Sequence, residues 1–122
     1  MYLLTFNKAK NLILFSLIAN VRAEEIRTAR DEVAEILTNL TQGFTFITDF
    51  TNLESICDGS APEIGRMMEL SEERGVALVV RIFPDSAKDI GMNILTRFHY
   101  TRPPRIVTCQ SMEEAAKIVG LA

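Results

Sequence analysis

VALVVRIF, Val76 to Phe83, is an apolar run interrupted only by Arg81 and closed by Pro84. A strand with one wet face alternates apolar and polar residues, whereas a strand covered on both faces reads as a continuous apolar stretch. The β-branched Val79, Val80 and Ile82 favour extended backbone. The run is therefore expected to be a strand of a parallel sheet with helices on both faces.

Its neighbours supply those helices. Residues 61–75, APEIGRMMELSEERG, place Ile64, Met67 and Met68 at helical spacing, and Gly75 stops the helix. Residues 85–98, DSAKDIGMNILTRF, repeat the pattern with Ile90, Ile94, Leu95 and Phe98. Further out, FTFITDF (44–50) and RIVTC (105–109) are strand-like, and SMEEAAKIVG (111–120) is a closing helix with Ala115, Ile118 and Val119 inward. Toward the N-terminus, Ile26, Ala29, Val33, Ile36, Leu37 and Leu40 form one stripe of a helix from Val21 to Leu40. Arg27, Arg30, Asp31, Glu32 and Glu35 fall on its opposite, solvent face, and Gly43 ends it. YLLTF and NLILFSLI, joined by the polar NKAKN, read as two strands of a hairpin. The order β-β-α-β-α-β-α-β-α predicts an α/β, three-layer domain over residues 1–122. Its sheet is mixed, mostly parallel and of about five strands, with about four helices.

The totals exclude several classes. With 122 residues, 48% of them hydrophobic and 24% charged, the chain can build one core. A net charge of −3 argues against duplex nucleic acid, whose phosphates require a basic face. Cys57 and Cys109 form no CxxC pattern, which gives no metal signature and suits a reduced, cytoplasmic setting. LILFSLIA (12–19) is shorter than the roughly 20 residues of a membrane span. Although Lys8 and Lys10 precede it, Arg22 spoils the cleavage pattern of a secretory leader.

The chemistry concentrates in SICDGSAPEIG, Ser55 to Gly65. Ser60-Ala61-Pro62-Glu63 has the pattern of a capping box, with serine at the N-cap and glutamate at the third helical position. The preceding Cys57-Asp58-Gly59 is turn-prone and is expected to leave Ser60 exposed. The same hydroxyl could carry a phosphate, held at a helix N-terminus. Near Asp58 and Glu63 its charge would repel and so disrupt a docked partner. Both readings of Ser60, cap alone or cap and switch, remain open at this point.

Other residues are weaker candidates. Ligands of open α/β sheets favour the carboxyl ends of strands, which here gather Asp49, Arg81 and Ser86. Neither GxGxxG nor GxxxxGK[ST] occurs, and His99, the single histidine, has no partner fixed by the sequence. No paired carboxylates have acid–base spacing. The chain is therefore expected to be no enzyme and to need no cofactor or metal. Met67, Met68 and Met92 either fill core gaps or line an apolar pocket.

The layout and the tetrad Asp58-Gly59-Ser60-Ala61 together resemble the STAS domains, which include the SpoIIAA-like anti-sigma-factor antagonists. In the antagonists the corresponding tetrad is Asp-Ser-Ser/Thr-Gly, and a partner kinase phosphorylates the second hydroxyl. The resemblance places that hydroxyl at Ser60, with Gly59 replacing the first serine and Ala61 the closing glycine. FPDSAKDIGM (83–92) further resembles a standalone STAS/SEC14-like branch. The resemblance implies a regulatory, non-enzymatic interaction module. It would bind an anti-sigma or kinase-like protein through Asp58, Gly59, Ser60 and Glu63 and be switched at Ser60, with a homodimer as a further possibility. The SEC14-like label implies the alternative of a small apolar or anionic ligand, in a pocket walled by Met67, Met68, Ile94 and Phe98.

Overall fold

A computed structural model gives the fold and describes residues 1–57, 59–85, 96 and 99–121. Along the chain run β1 (Tyr2–Asn7), β2 (Leu12–Leu17), β3 (Ala19–Val21), α1 (Ala23–Ile36), a 3-10 turn (Leu37–Asn39), β4 (Thr45–Asp49), β5 (Leu53–Ile56), α2 (Ser60–Glu73), β6 (Leu78–Ile82), β7 (Arg105–Cys109) and α3 (Met112–Ile118). Five strands form one sheet in the order β1-β2-β4-β6-β7. β1 and β2 are the antiparallel hairpin; β2, β4, β6 and β7 are parallel. The apolar run of Val76 to Phe83 is β6 and its flanks, an inner strand between β4 and β7.

The pleat sends alternate residues to opposite faces. Ile13, Phe15 and Phe46 join Ile26, Ala29 and Val33 of α1 and Met67 of α2 in one core cluster. Leu12, Ile47, Val80 and Ile82 join Cys109 and Ala115 of α3 in a second. Helices thus cover both faces, and β6 is buried on each side, which is why its sequence does not alternate. Each fully buried Val, Leu, Ile, Phe or Met side chain among them contributes about 1.5–3 kcal/mol of transfer free energy. Aromatic rings add geometry: Phe15 meets Phe46 edge-on at 6.4 Å, and Phe50 stacks on Phe83 at 4.1 Å.

Several elements differ from the sequence expectation. A two-stranded parallel sheet, β3–β5, stands apart from the main one. Strands of three and four residues are too short to carry a period, so the sequence pattern does not reveal them. α1 ends at Ile36 and finishes in the 3-10 turn, four residues short of Leu40. Ile118 of α3 is exposed where the periodicity places it inward. The expected helix over 85–98 lies, apart from Asp85 and Thr96, outside the described residues. Among the described residues no helix is long and apolar enough to cross a membrane.

Candidate functional site at the start of α2

The small sheet fixes where the site begins. Val21 pairs with Ile56, and the Cys57 N–H donates to the Val21 carbonyl at 2.9 Å. The entrances of α1 and α2 are therefore tied together. From Cys57 the chain turns into α2, with Gly59 at the N-cap in a left-handed conformation, φ 86°. Glycine accepts that conformation without the Cβ penalty other residues meet.

This start corrects the expected capping box. Ser60 is the first residue inside α2, not its cap, and its side chain makes no capping bond. Because Gly59 turns the chain one residue earlier, the Ser60 side chain swings inward. Ser60 is 1% exposed, and its hydroxyl has no hydrogen-bond partner. The expected exposure of this hydroxyl is thus also corrected; the exposed residues of the turn are Cys57 and Gly59. Asp58 lies outside the described residues.

Glu63 likewise does not reach back to the Ser60 N–H, which donates instead to the Cys57 carbonyl at 3.3 Å. Its carboxylate is 4% exposed and accepts from three guanidinium groups: Arg66 at 2.6 Å, Arg30 at 3.2 Å and Arg27 at 3.3 Å. Arg27 and Arg30 are three apart on α1, so they share a face, and that face looks across at α2. Three cations around one buried anion leave a local net charge of +2. Arg27 and Arg66 remain more than half exposed, at 55% and 56% of their side chains. Where the sequence presents Glu63 as a bare negative charge, the structure surrounds it with positive ones. The sequence pattern assigns Arg27 and Arg30 to the solvent face, and nothing in their spacing indicates that Glu63 is their partner.

The strand-edge candidates do not assemble. Asp49 pairs in register with Ile82, and Thr48 with Arg81, so Asp49 and Arg81 point to opposite faces of the sheet. The Asp49 carboxylate accepts from the Thr51 N–H and hydroxyl within its own turn. Ser86 lies outside the described residues. Beside Asp49, burial pushes the Cys109 thiol pKa up. His99 packs against Gly65, with its Nδ1 3.4 Å from the Glu69 carboxylate. Among the described residues no three His, Cys, Asp or Glu side chains cluster as metal ligands.

Arg81 faces a different feature. A cavity of about 60 Å³ lies between α2 and the sheet, lined by Phe15, Phe46, Phe50, Met67 and Met68, with Arg81 and Tyr100 among its walls. Arg81 is buried and donates to the Thr96 hydroxyl at 2.6 Å. Burial above all pushes the Tyr100 hydroxyl pKa up to about 12, with Arg81 pulling it down and Glu72 pushing it up. Met67 and Met68 thus serve as core and as cavity wall, while Ile94 and Phe98 lie outside the described residues.

No family model matches the chain, and no curated protein matches its sequence. Its fold does match solved structures along nearly the whole length. The anti-sigma factor antagonist SpoIIAA in its unphosphorylated form aligns with a TM-score of 0.65 and 18% identity, covering 98% of each chain. An uncharacterized DUF3478-family protein of Shewanella loihica with a SpoIIAA-like fold aligns at 0.72 and 12%, covering 98% of this chain and 92% of that one. The phosphorylated form of the Bacillus cell fate determinant SpoIIAA aligns at 0.58 and 16%, covering 97% and 99%. The chain has the SpoIIAA-like fold.

Proposed function

We propose that the chain is a non-enzymatic regulatory module that docks a protein partner at the start of α2, and that phosphorylation of Ser60 switches this docking off. The observation that carries the reading is the whole-chain likeness to an anti-sigma factor antagonist solved in both unphosphorylated and phosphorylated forms. The local geometry supplies the working surface. The exposed Gly59 turn leads into the helix whose Glu63 gathers Arg27 and Arg66, and their surplus positive charge fits an acidic face on an anti-sigma or kinase-like partner. Ser60 is buried, so a kinase reaches it only when the first turn of α2 opens. Helix ends open at low free energy, and the Ser60 hydroxyl gives up no hydrogen bond in doing so.

Incubation with the partner serine kinase and nucleoside triphosphate, followed by intact-mass and fragment mass measurement, tests the switch. One phosphoryl group on Ser60 is the expected result. An unmodified chain, or a phosphate elsewhere, removes the switch from the reading.

A second reading is a small-ligand binder, favoured by the cavity beside Arg81 and Tyr100. Its volume of about 60 Å³ suits a few waters or a very small apolar group. It is well below the roughly 150 Å³ that holds a benzene ring, so this reading ranks below the first.

A further inference from the structure

We infer that a phosphate carried by Ser60 is captured by Arg27, Arg30 and Arg66, which release Glu63 to receive it. The inference rests on the regulatory reading above but concerns only the modified state. Ser60 and Glu63 are three apart on α2, so their Cβ atoms lie about 5–6 Å from each other on one helix face. A group on the Ser60 oxygen, one helical turn from Glu63, would come within reach of the three guanidinium groups that hold its carboxylate. The hydroxyl that would carry it is buried, and it is the one buried side-chain oxygen or nitrogen among the described residues without a hydrogen-bond partner. The modification joins the Ser60 oxygen to the γ-phosphorus of a nucleoside triphosphate. The bond to the bridging oxygen breaks, the diphosphate leaves, and the hydroxyl proton passes to the kinase.

The exchange favours phosphate on three grounds. It brings three acceptor oxygens and close to two negative charges, against two oxygens and one charge on Glu63. Arginine pairs with phosphate through two parallel N–H bonds. The N-terminal end of the 14-residue α2 adds its own positive potential. Capture explains why the modification would weaken docking. The surplus of +2 at the seam, which already counts Glu63, falls to about zero, and the Glu63 carboxylate, no longer clamped, turns its charge toward a surface fitted to an acidic partner.

Phosphoserine installed at position 60 during synthesis of the full chain tests this without a kinase or a partner. Phosphorus NMR then reads the second ionisation of the phosphate against pH. Capture predicts a pKa about one unit below its ordinary value near 6. In the Arg27→Gln/Arg30→Gln double variant, at least half of that shift should be lost. Should the double variant fail to fold by circular dichroism, the exposed Arg66→Gln takes its place, with a smaller return expected. A phosphate titrating at or above its ordinary value, arginine substitutions that leave it unmoved, or a modified chain that no longer folds overturns the inference. Its failure leaves the docking reading standing, and a partner that never binds leaves this titration unchanged.

Discussion

Ser60 and Ser111 both stand at the opening of a helix, three residues before a glutamate, yet they do opposite things. The Ser111 oxygen accepts the Glu114 N–H at 3.2 Å, and Glu114 accepts the Gln110 N–H at 3.3 Å, a working cap. Ser60 is carried one position into its helix by Gly59 and is left buried without a partner. Ser111→Ala is therefore expected to lose about 1 kcal/mol of stability in urea. Ser60→Ala is expected to be neutral or to gain up to about 1 kcal/mol, because it removes a buried, unpaired hydroxyl. Equal losses at the two positions would restore the capping reading of Ser60. Glu63→Gln strips a buried carboxylate from three arginines. Because Arg27 and Arg66 can turn to water, the loss should be about 2 kcal/mol, below that of a fully buried pair. An unchanged urea midpoint would contradict the clamp. The pattern Ser-x-x-acid was legible in the sequence at both serines. What it could not reveal is which serine a preceding left-handed glycine would push inside.

At the scale of elements, helical and strand periods exposed everything long enough to repeat. α1, α2, α3 and all five strands of the main sheet follow from apolar spacing. β3 and β5 did not, and they matter most for the site, since they bind the two helix entrances together. Contacts between helices were likewise hidden, because Arg27 and Arg30 look like any solvent-face arginines until α2 is placed beside them. Gly65 shows the same limit. It sits inside α2, where alanine would ordinarily be about 1 kcal/mol better. A Cβ there would lie 2.3 Å from His99 Nε2, so the ring must move. Gly65→Ala is expected to destabilise by about 1–3 kcal/mol despite its better helix propensity. A raised thermal midpoint would show that His99 yields freely.

At the scale of the whole molecule, the unbroken apolar reading of β6 anticipated the three layers, and the likeness to SpoIIAA extends over 98% of the chain. The fold also constrains both of its tyrosines. Burial, and then a 2.6 Å bond from the hydroxyl to Glu32, push the Tyr2 pKa up to about 12; burial leads for Tyr100, also at about 12. A tyrosine whose folded pKa is raised stabilises the fold fully below its ordinary value near 10, and this contribution disappears as pH climbs toward 12. Alkaline absorbance titration should therefore show little tyrosinate at pH 10, with unfolding following as pH rises further. Normal ionisation near pH 10 in a still-folded chain would contradict both placements. The docking account itself is tested most directly by the Kd of the chain for the proposed anti-sigma or kinase-like partner, measured with serine and with phosphoserine at position 60. Tight binding of the serine form and an affinity at least about tenfold weaker for the phosphoserine form, a difference of about 1.4 kcal/mol, is the predicted result; equal affinity of the two forms would contradict it.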